Sequence, residues 1–320
     1  MWKFIIRRLI TTLPQILLLS VLIFLMAQLM PGDALTGLID PNLDPATIAE
    51  QRERLGLNDP WYIQYGNWIS NALQGDLGQS FRFKMEVTEL IGQRLNNTVW
   101  LSLTTLVFTY LIAIPLGITS GRYNDTLRDQ LITGYTYVGF ATPLFIFALV
   151  ALWIFGFNLG WFPTGSSVQA GLTPGTFEYV LSRAHHLMLP SLSMALITTV
   201  STVQYLRNEI IDTKQKDFIL TARAKGASES RVYNRHVLRN SLLPIAAFFG
   251  FEITGLIGGT VFIETIYSYP GMGLLFMESI IQRDYSVVTS VVLLFGIASI
   301  LGALLSDIIL SLVDPRIRIK

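Results

Sequence analysis

The feature that most limits what this chain can fold into is the recurrence of long apolar stretches. A transmembrane helix needs about 20 mostly apolar residues, because each residue rises about 1.5 Å through a hydrocarbon core about 30 Å thick. Six stretches meet that requirement: Leu9 to about Met30, Leu95 to Gly121, about Leu131 to Phe157, Leu187 to Leu206, about Asn240 to Ile263, and Val287 to Leu305. With 51% of its 320 residues hydrophobic and only 14% charged, the chain belongs in a bilayer. The predicted fold is all-α, a polytopic bundle of six transmembrane helices. The first stretch is too long for a removable signal peptide and lacks a small-residue cleavage site, so it reads as a retained anchor.

Basic residues in alternate connections predict the orientation, because Lys and Arg in short loops stay on the cytoplasmic side. Three precede the first helix, two lie in Arg122 to Asp129, eight in Arg207 to Arg239 and three after Ser311. The opposite short loops hold one each, Arg183 and Arg283. Both termini are therefore expected in the cytoplasm of a multi-pass inner or plasma-membrane protein. The predicted organisation is a cytoplasmic N-terminus with helix one (1–30), an outer segment (31–94), a core carrying the remaining five helices (95–311) with a cytoplasmic loop at 207–239, and a tail (312–320).

Several chemistries are excluded. There is no cysteine, hence no disulfide, thiolate nucleophile or cysteine metal site. The three histidines have no HExxH spacing. No GxxxxGK[ST] occurs, so the chain has no P-loop, and a formal net charge of +1 gives no reason to expect nucleic acid.

The outer segment contains Trp61, Tyr62, Tyr65, Trp68 and Phe81 and is expected to fold. Ile48, Arg52 and Leu55 before Gly56 suggest one short helix, and Tyr62, Tyr65, Ile69 and Leu73 a second. Either a packed cap or a docking surface fits that pattern. Gly117 with Gly121, Gly156 with Gly160 and Gly255 with Gly259 have the spacing that lets membrane helices approach closely.

The most informative loop reads DFILTARAKGASESRVYNRHVLRNSLLP from Asp217 to Pro244. Asp217 is a candidate cap for a helix over Phe218 to Lys225 that Gly226 stops. Two turns are about 12 Å, too short to span a membrane. Ser228 is a candidate cap for a second helix, in which Arg231, Arg235 and Arg239 form one stripe and Val232, Tyr233, Val237, Leu238 and Leu242 the other side. Charge alone leaves this loop equally compatible with anionic lipid and with a protein partner.

TARAKGASESRVYNRHVLRNSLLP resembles the cytoplasmic loop of ABC-importer permeases, in the variant found in oligopeptide, dipeptide and nickel uptake systems. RRLITTLPQILLLSVLIFLMAQLMPGD, LGLNDPWYIQYGNWISNALQGDLGQSF, IYSYPGMGLLFMESIIQRDY and DPRIR extend the resemblance over nearly the whole chain. It implies a type I importer permease, the first of a pair, with a coupling helix that docks in a groove of an ATP-binding subunit. The matching positions are Thr221, Ala222, Arg223, Ala224, Lys225 and Gly226. The general importer motif has a glutamate two residues before Ala222, where this chain has Leu220. Implied partners are a second, similar permease, two ATP-binding subunits and an extracellular substrate-binding protein. ATP with magnesium would be bound by the ATPases, with no cofactor in this chain and no catalysis by it. The substrate could be an oligopeptide, a dipeptide or nickel.

Other candidates are weighed singly. Glu252, near the middle of the fifth stretch, is a possible pathway residue, since an intramembrane carboxylate faces protein or water. Asp307 is expected to meet Arg316 or water, His185 and His186 to precede the fourth helix at the interface, and Pro143 and Pro190 to bend their spans. Tyr267 to Gly273 suggests a re-entrant turn lining an outer gate. An ion-coupled secondary transporter would want more intramembrane carboxylates and inverted repeats, and an intramembrane protease a Ser/His pair or carboxylate dyad at membrane depth.

Overall fold

The computed structural model describes residues 2–29, 50, 52–53, 56–242, 245 and 260–313. Most of the fifth apolar stretch, with Glu252, Gly255 and Gly259, lies outside the described residues, as do Pro244 and Arg316. The elements in chain order begin with α1 (Trp2–Gln28), α2 (Trp61–Leu73) and a hairpin of β1 (Gln79–Ser80) and β2 (Met85–Glu86). Then follow α3 (Val87–Arg122), α4 (Leu127–Ala141), and α5 (Leu144–Ala151), which continues as a π-helical turn, Leu152–Asn158. Next are α6 (Phe177–Lys214), α7 (Asp217–Ala224), and α8 (Glu229–Arg231), a second π-helical turn, Val232–Val237, and α9 (Leu238–Ser241). A helical stretch at 260–266, α10 (Met272–Gln282) and α11 (Tyr285–Val313) complete the described chain.

Among the described residues four helices are long and apolar enough to cross a membrane: Ile6–Gln28, Val87–Arg122, Phe177–Lys214 and Tyr285–Ile309. The third predicted span, Leu131 to Phe157, is not one straight helix. α4 and the α5 segment are bent by 102° at Thr142–Pro143. Steric clash with the proline ring drives the preceding residue out of the helical region, and Thr142 and Pro143 are both extended.

Two predicted boundaries also move. α3 starts at Val87 and not Leu95, because Val87, Leu90 and Ile91 are buried against Met272, Leu275, Val287 and Val291 while Thr88 and Glu89 between them face out. α6 runs past both ends of Leu187–Leu206, since its outer turns are amphipathic helix that an apolar-run criterion does not see. His185 and His186 accordingly sit inside α6. His185 Nε2 lies 2.9 Å from the Trp161 carbonyl and His186 Nδ1 2.7 Å from that of Ser182.

α3 and α6 form the central pair. A Cβ on Gly117 would stand 2.9 Å from Leu206 Cβ, and one on Gly121 would stand 2.7 Å from Ile210 Cβ. This glycine pair therefore seats two branched side chains one turn apart, as its spacing predicts. Gly160 has positive φ at the exit of a π-turn, so Gly156 with Gly160 is not such a pair. α4 joins α6 through the Tyr135 hydroxyl, which donates to the Leu196 carbonyl at 2.5 Å. α1 packs on α11, and there Asp307 meets Arg8 at 3.1 Å, while its expected partner Arg316 lies outside the described residues.

The segment before α3 is folded where described. Gly56 and Leu57 donate to Glu53 and Arg52 carbonyls at 3.0 Å, the double bond pattern of a glycine-terminated helix, with Gly56 at φ +65°. α2 lies on the end of α1, with Tyr65 hydroxyl 2.8 Å from Ser20 and the Phe24 ring against Tyr65 and Trp68. The hairpin reaches the turn before α11, where the Ser80 hydroxyl donates to Asp284 at 2.5 Å.

Candidate coupling site

α7 is an eight-residue helix with one fully buried side chain. Ile219 is fully buried in a cluster with Leu206, Ile210, Val232, Tyr233, Val237 and Ile245, which joins α6 and the π-turn. On the opposite face Phe218 is 41% and Leu220 58% exposed, with Thr221 and Ala224 beside them. An eight-residue helix that buries an isoleucine on one side and shows phenylalanine and leucine on the other is amphipathic in two apolar directions. That shape suits a helix placed between two proteins.

Both helix ends differ in detail from the prediction. Asp217 is the first helical residue and Lys216 takes the capping position, and neither Asp217 nor Ser228 makes a side-chain cap. The acidic residue still lies in the first turn, where it complements the helix dipole. At the other end Gly226 has φ +80°, and Gly226 and Ala227 donate to the Arg223 and Ala222 carbonyls at 2.9 and 3.2 Å. The helix stop at Gly226 is thus a double-bonded glycine cap.

The six motif residues divide into two groups. Ala222 is half-buried against the cluster, and Arg223 is taken by Glu229 through Nε and Nη2 at 2.8 and 3.1 Å. Thr221, Ala224, Lys225 and Gly226 are exposed. Leu220, the departure from the general motif, belongs to this free surface. Beyond α7, Arg231, Arg235 and Arg239 are exposed while Val232, Tyr233 and Val237 are buried, so the basic stripe forms although a π-turn replaces part of the expected α-helix.

What α7 is fastened to matters as much as what it shows. The Tyr233 hydroxyl donates to the Ile118 carbonyl of α3 at 3.3 Å, and its ring lies 4.7 Å under the Arg122 guanidinium. Burial pushes this phenol up to about 12, so it remains a neutral donor. Lys214 donates to the Gly121 and Arg122 carbonyls at 3.1 and 3.2 Å and to Asn124 Oδ1 at 2.6 Å, tying the end of α6 to that of α3. Arg207 grips buried Asp129 of α4 with two bonds of 2.7 Å. The same carboxylate accepts from Ser120, from Thr133 at 3.2 Å and from the Asp125 amide at 2.9 Å. Residues at this end of α3, α4 and α6 therefore form one body with the base of α7.

Sequence reading missed two carboxylates. Asp129 and Arg207 are 78 positions apart in the sequence, and each lies among other charged residues of its loop, so nothing local marks the pair. Glu264, fully buried just after the fifth stretch, was overlooked in favour of Glu252. The IYSYPGMG turn that follows it was the available signal. Tyr267 and Tyr269 of that turn are buried, with Tyr267 hydroxyl 2.8 Å from Ser193 and donating to the Ala148 carbonyl at 3.1 Å.

A helical membrane bundle with a broken span and a short anchored helix between two spans has the architecture of an ABC-importer permease. Solved structures share its fold. The fold matches the inward-facing MetNI methionine ABC transporter with TM-score 0.56 at 14% identity, over 70% of this chain and 96% of that one. It matches an amino acid ABC transporter with histidines at TM-score 0.52 and 13% identity, over 72% and 94%.

The chain belongs to the family of binding-protein-dependent transport system inner membrane components, which matches residues 113–319, with its N-terminal component matching residues 1–104. It is similar to the oligopeptide transport system permease protein AppB of Bacillus subtilis (strain 168), 39% identical over 99% of both chains. It is also similar to a putative peptide permease protein of Brucella ovis, at 34% over the full length of both. The glutathione transport system permease protein GsiC of Salmonella typhimurium is 32% identical, again over both full lengths.

Proposed function

We propose that this chain forms half of the translocation pathway of an ATP-driven importer for oligopeptides and receives the force of ATP hydrolysis through α7. The carrying observation is α7 itself: Ile219, Tyr233 and Lys214 bind its base to α3 and α6, while Phe218, Leu220, Thr221 and Ala224 are left free. The free face docks in a cleft of an ATP-binding subunit that carries the magnesium-ATP. Within the motif, Thr221, Ala224 and Lys225 make the contact, and Ala222, Arg223 and Gly226 shape the helix behind it. A second permease completes the pathway and an extracellular binding protein delivers the substrate. Both termini are cytoplasmic, on the side of α7. Glu252 remains a candidate pathway residue of the fifth stretch. The oligopeptide assignment rests on the relatives' names, and glutathione or dipeptides are the next substrates to try.

The test is purification of the tagged chain from its native membrane, identification of the subunits that accompany it, and ATP-dependent peptide uptake in proteoliposomes. Ala224→Glu should abolish ATPase binding while the chain stays folded. Peptide uptake driven by an ion gradient without ATP, or Ala224→Glu transporters that couple normally, would overturn the reading.

A further inference from the structure

At the end of the bundle away from α7, three elements meet on one buried carboxylate. Glu264 lies in the helical stretch 260–266 and is 0% exposed. Its Oε2 accepts the backbone N–H groups of Gly273 and Leu274 at 2.6 and 3.0 Å, and its Oε1 accepts the Thr98 hydroxyl of α3 at 2.7 Å. The Thr98 oxygen in turn accepts the N–H of Met272 at 2.7 Å. The first three amides of α10 are thus satisfied by two side chains from elsewhere in the chain. Helix N-terminal amides have no partner within their own helix, and their partial positive charge suits an anion.

The capping position itself is Gly271, and a Cβ there would collide with the Glu264 carboxylate. Glycine is required so that the acid can take the place of a cap. A second tie runs beside the first, with Asn97 Nδ2 donating to the Pro270 carbonyl at 2.8 Å and the Tyr269 hydroxyl to the Asn97 carbonyl at 3.4 Å. Among the described residues no Lys or Arg forms an ion pair with Glu264. The acid is compensated by hydrogen bonds alone, and both of its oxygens are occupied, which leaves nothing to offer a ligand.

We infer that Glu264 is a positioning residue for transport: it locks α10 and the turn 267–271 to α3, so that motion of α3 moves this whole end of the bundle. From Thr98 to Ser120, where α3 meets the α7 base, is about 33 Å at 1.5 Å per residue. The same helix therefore joins the force-receiving end to the Glu264 clamp. This inference relies on the proposed transport role for its assay and on the geometry above for its residues.

The assembled transporter is reconstituted in proteoliposomes, and uptake and ATP hydrolysis are measured together. Glu264→Ala and Thr98→Val should each lower peptide moved per ATP at least tenfold in transporters that still assemble. Thr98→Ser, which keeps the hydroxyl, should restore the ratio. The double variant should be no worse than Glu264→Ala alone, because both changes break one relay. Hydrogen exchange at Met272, Gly273 and Leu274 should accelerate in both single variants and return to normal in Thr98→Ser.

Wild-type transport per ATP in Thr98→Val, or effects that multiply in the double variant, would overturn the inference, and the isosteric Thr98→Val decides it if Glu264→Ala fails to assemble. If the wild-type transporter takes up no peptide, the substrate reading fails instead. The clamp is then judged on ATP hydrolysis stimulated by the binding protein, which should fall at least tenfold in Thr98→Val, and an unchanged stimulation would refute it.

Discussion

Ile219→Ala isolates the attachment of α7 from the rest of the molecule. A helix of eight residues is about 12 Å long and cannot persist alone in water. Its tertiary anchors are Ile219, the small half-buried Ala222, and the Arg223–Glu229 pair, whose side chains are 44% and 73% exposed and so contribute little. Removing most of a fully buried isoleucine costs about 2–5 kcal/mol. Even the lower value raises the population of detached α7 about thirtyfold, at one decade per 1.4 kcal/mol.

Detachment exposes Arg223 and Lys225 in extended chain, so limited trypsin digestion of the detergent-purified protein reads it directly when opening and closing are fast compared with cleavage. We expect cleavage at these two sites to quicken by at least thirtyfold while the spans remain intact. A rate within threefold of wild type would show that α7 is not held by Ile219, and the coupling argument would lose its base.

Asp129→Asn should strand the Arg207 charge, whose side chain is only 20% exposed, at a cost of about 3–5 kcal/mol. That corresponds to a melting temperature lower by roughly 6–20 °C in detergent, and Asp129→Asn with Arg207→Gln should recover part of it. Gly121→Leu should abolish a monodisperse peak in size-exclusion chromatography, because even a Cβ falls 2.7 Å from Ile210, whereas Gly134→Ala, with nothing within 4 Å, should not. Gly226→Ala meets no atom within 4 Å but must hold φ +80°, so it should cost about 1 kcal/mol and speed the tryptic cleavage about fivefold.

Much of this was legible in the sequence wherever the signal was local. The length of α7, the Gly226 stop, the aromatic helix α2 and the Gly117–Gly121 seat all follow from spacing within a few turns. The bend at Thr142–Pro143 was legible from Pro143, but its size of 102° was not, because an unbroken apolar run reports depth in lipid and says nothing of direction. Long-range polar pairs were equally hidden. Arg8 with Asp307, Asp129 with Arg207 and Glu264 with Thr98 depend on which helices become neighbours. Glu252 drew notice by lying within an apolar run, whereas Glu264 lies just past the end of one and is buried by the turn that follows. The π-turn at Val232–Val237 left the basic stripe in place because buried and exposed positions still alternate about the helix.

The overhang of α6 decides what α7 can touch. The apolar stretch read from the sequence ends at Leu206, and eight further helical residues carry Lys214 about 12 Å past it. A headgroup layer is only about 5–7 Å deep on each side. A helix tethered by Gln215 and Lys216 to the tip of such a strut folds back along it, so that Ile219 packs beside Leu206 and Ile210 and the Ser241 hydroxyl, just past the arginine stripe, reaches the Glu209 carbonyl at 3.1 Å. Anything that shifts α6 in the bilayer then carries α7 with it.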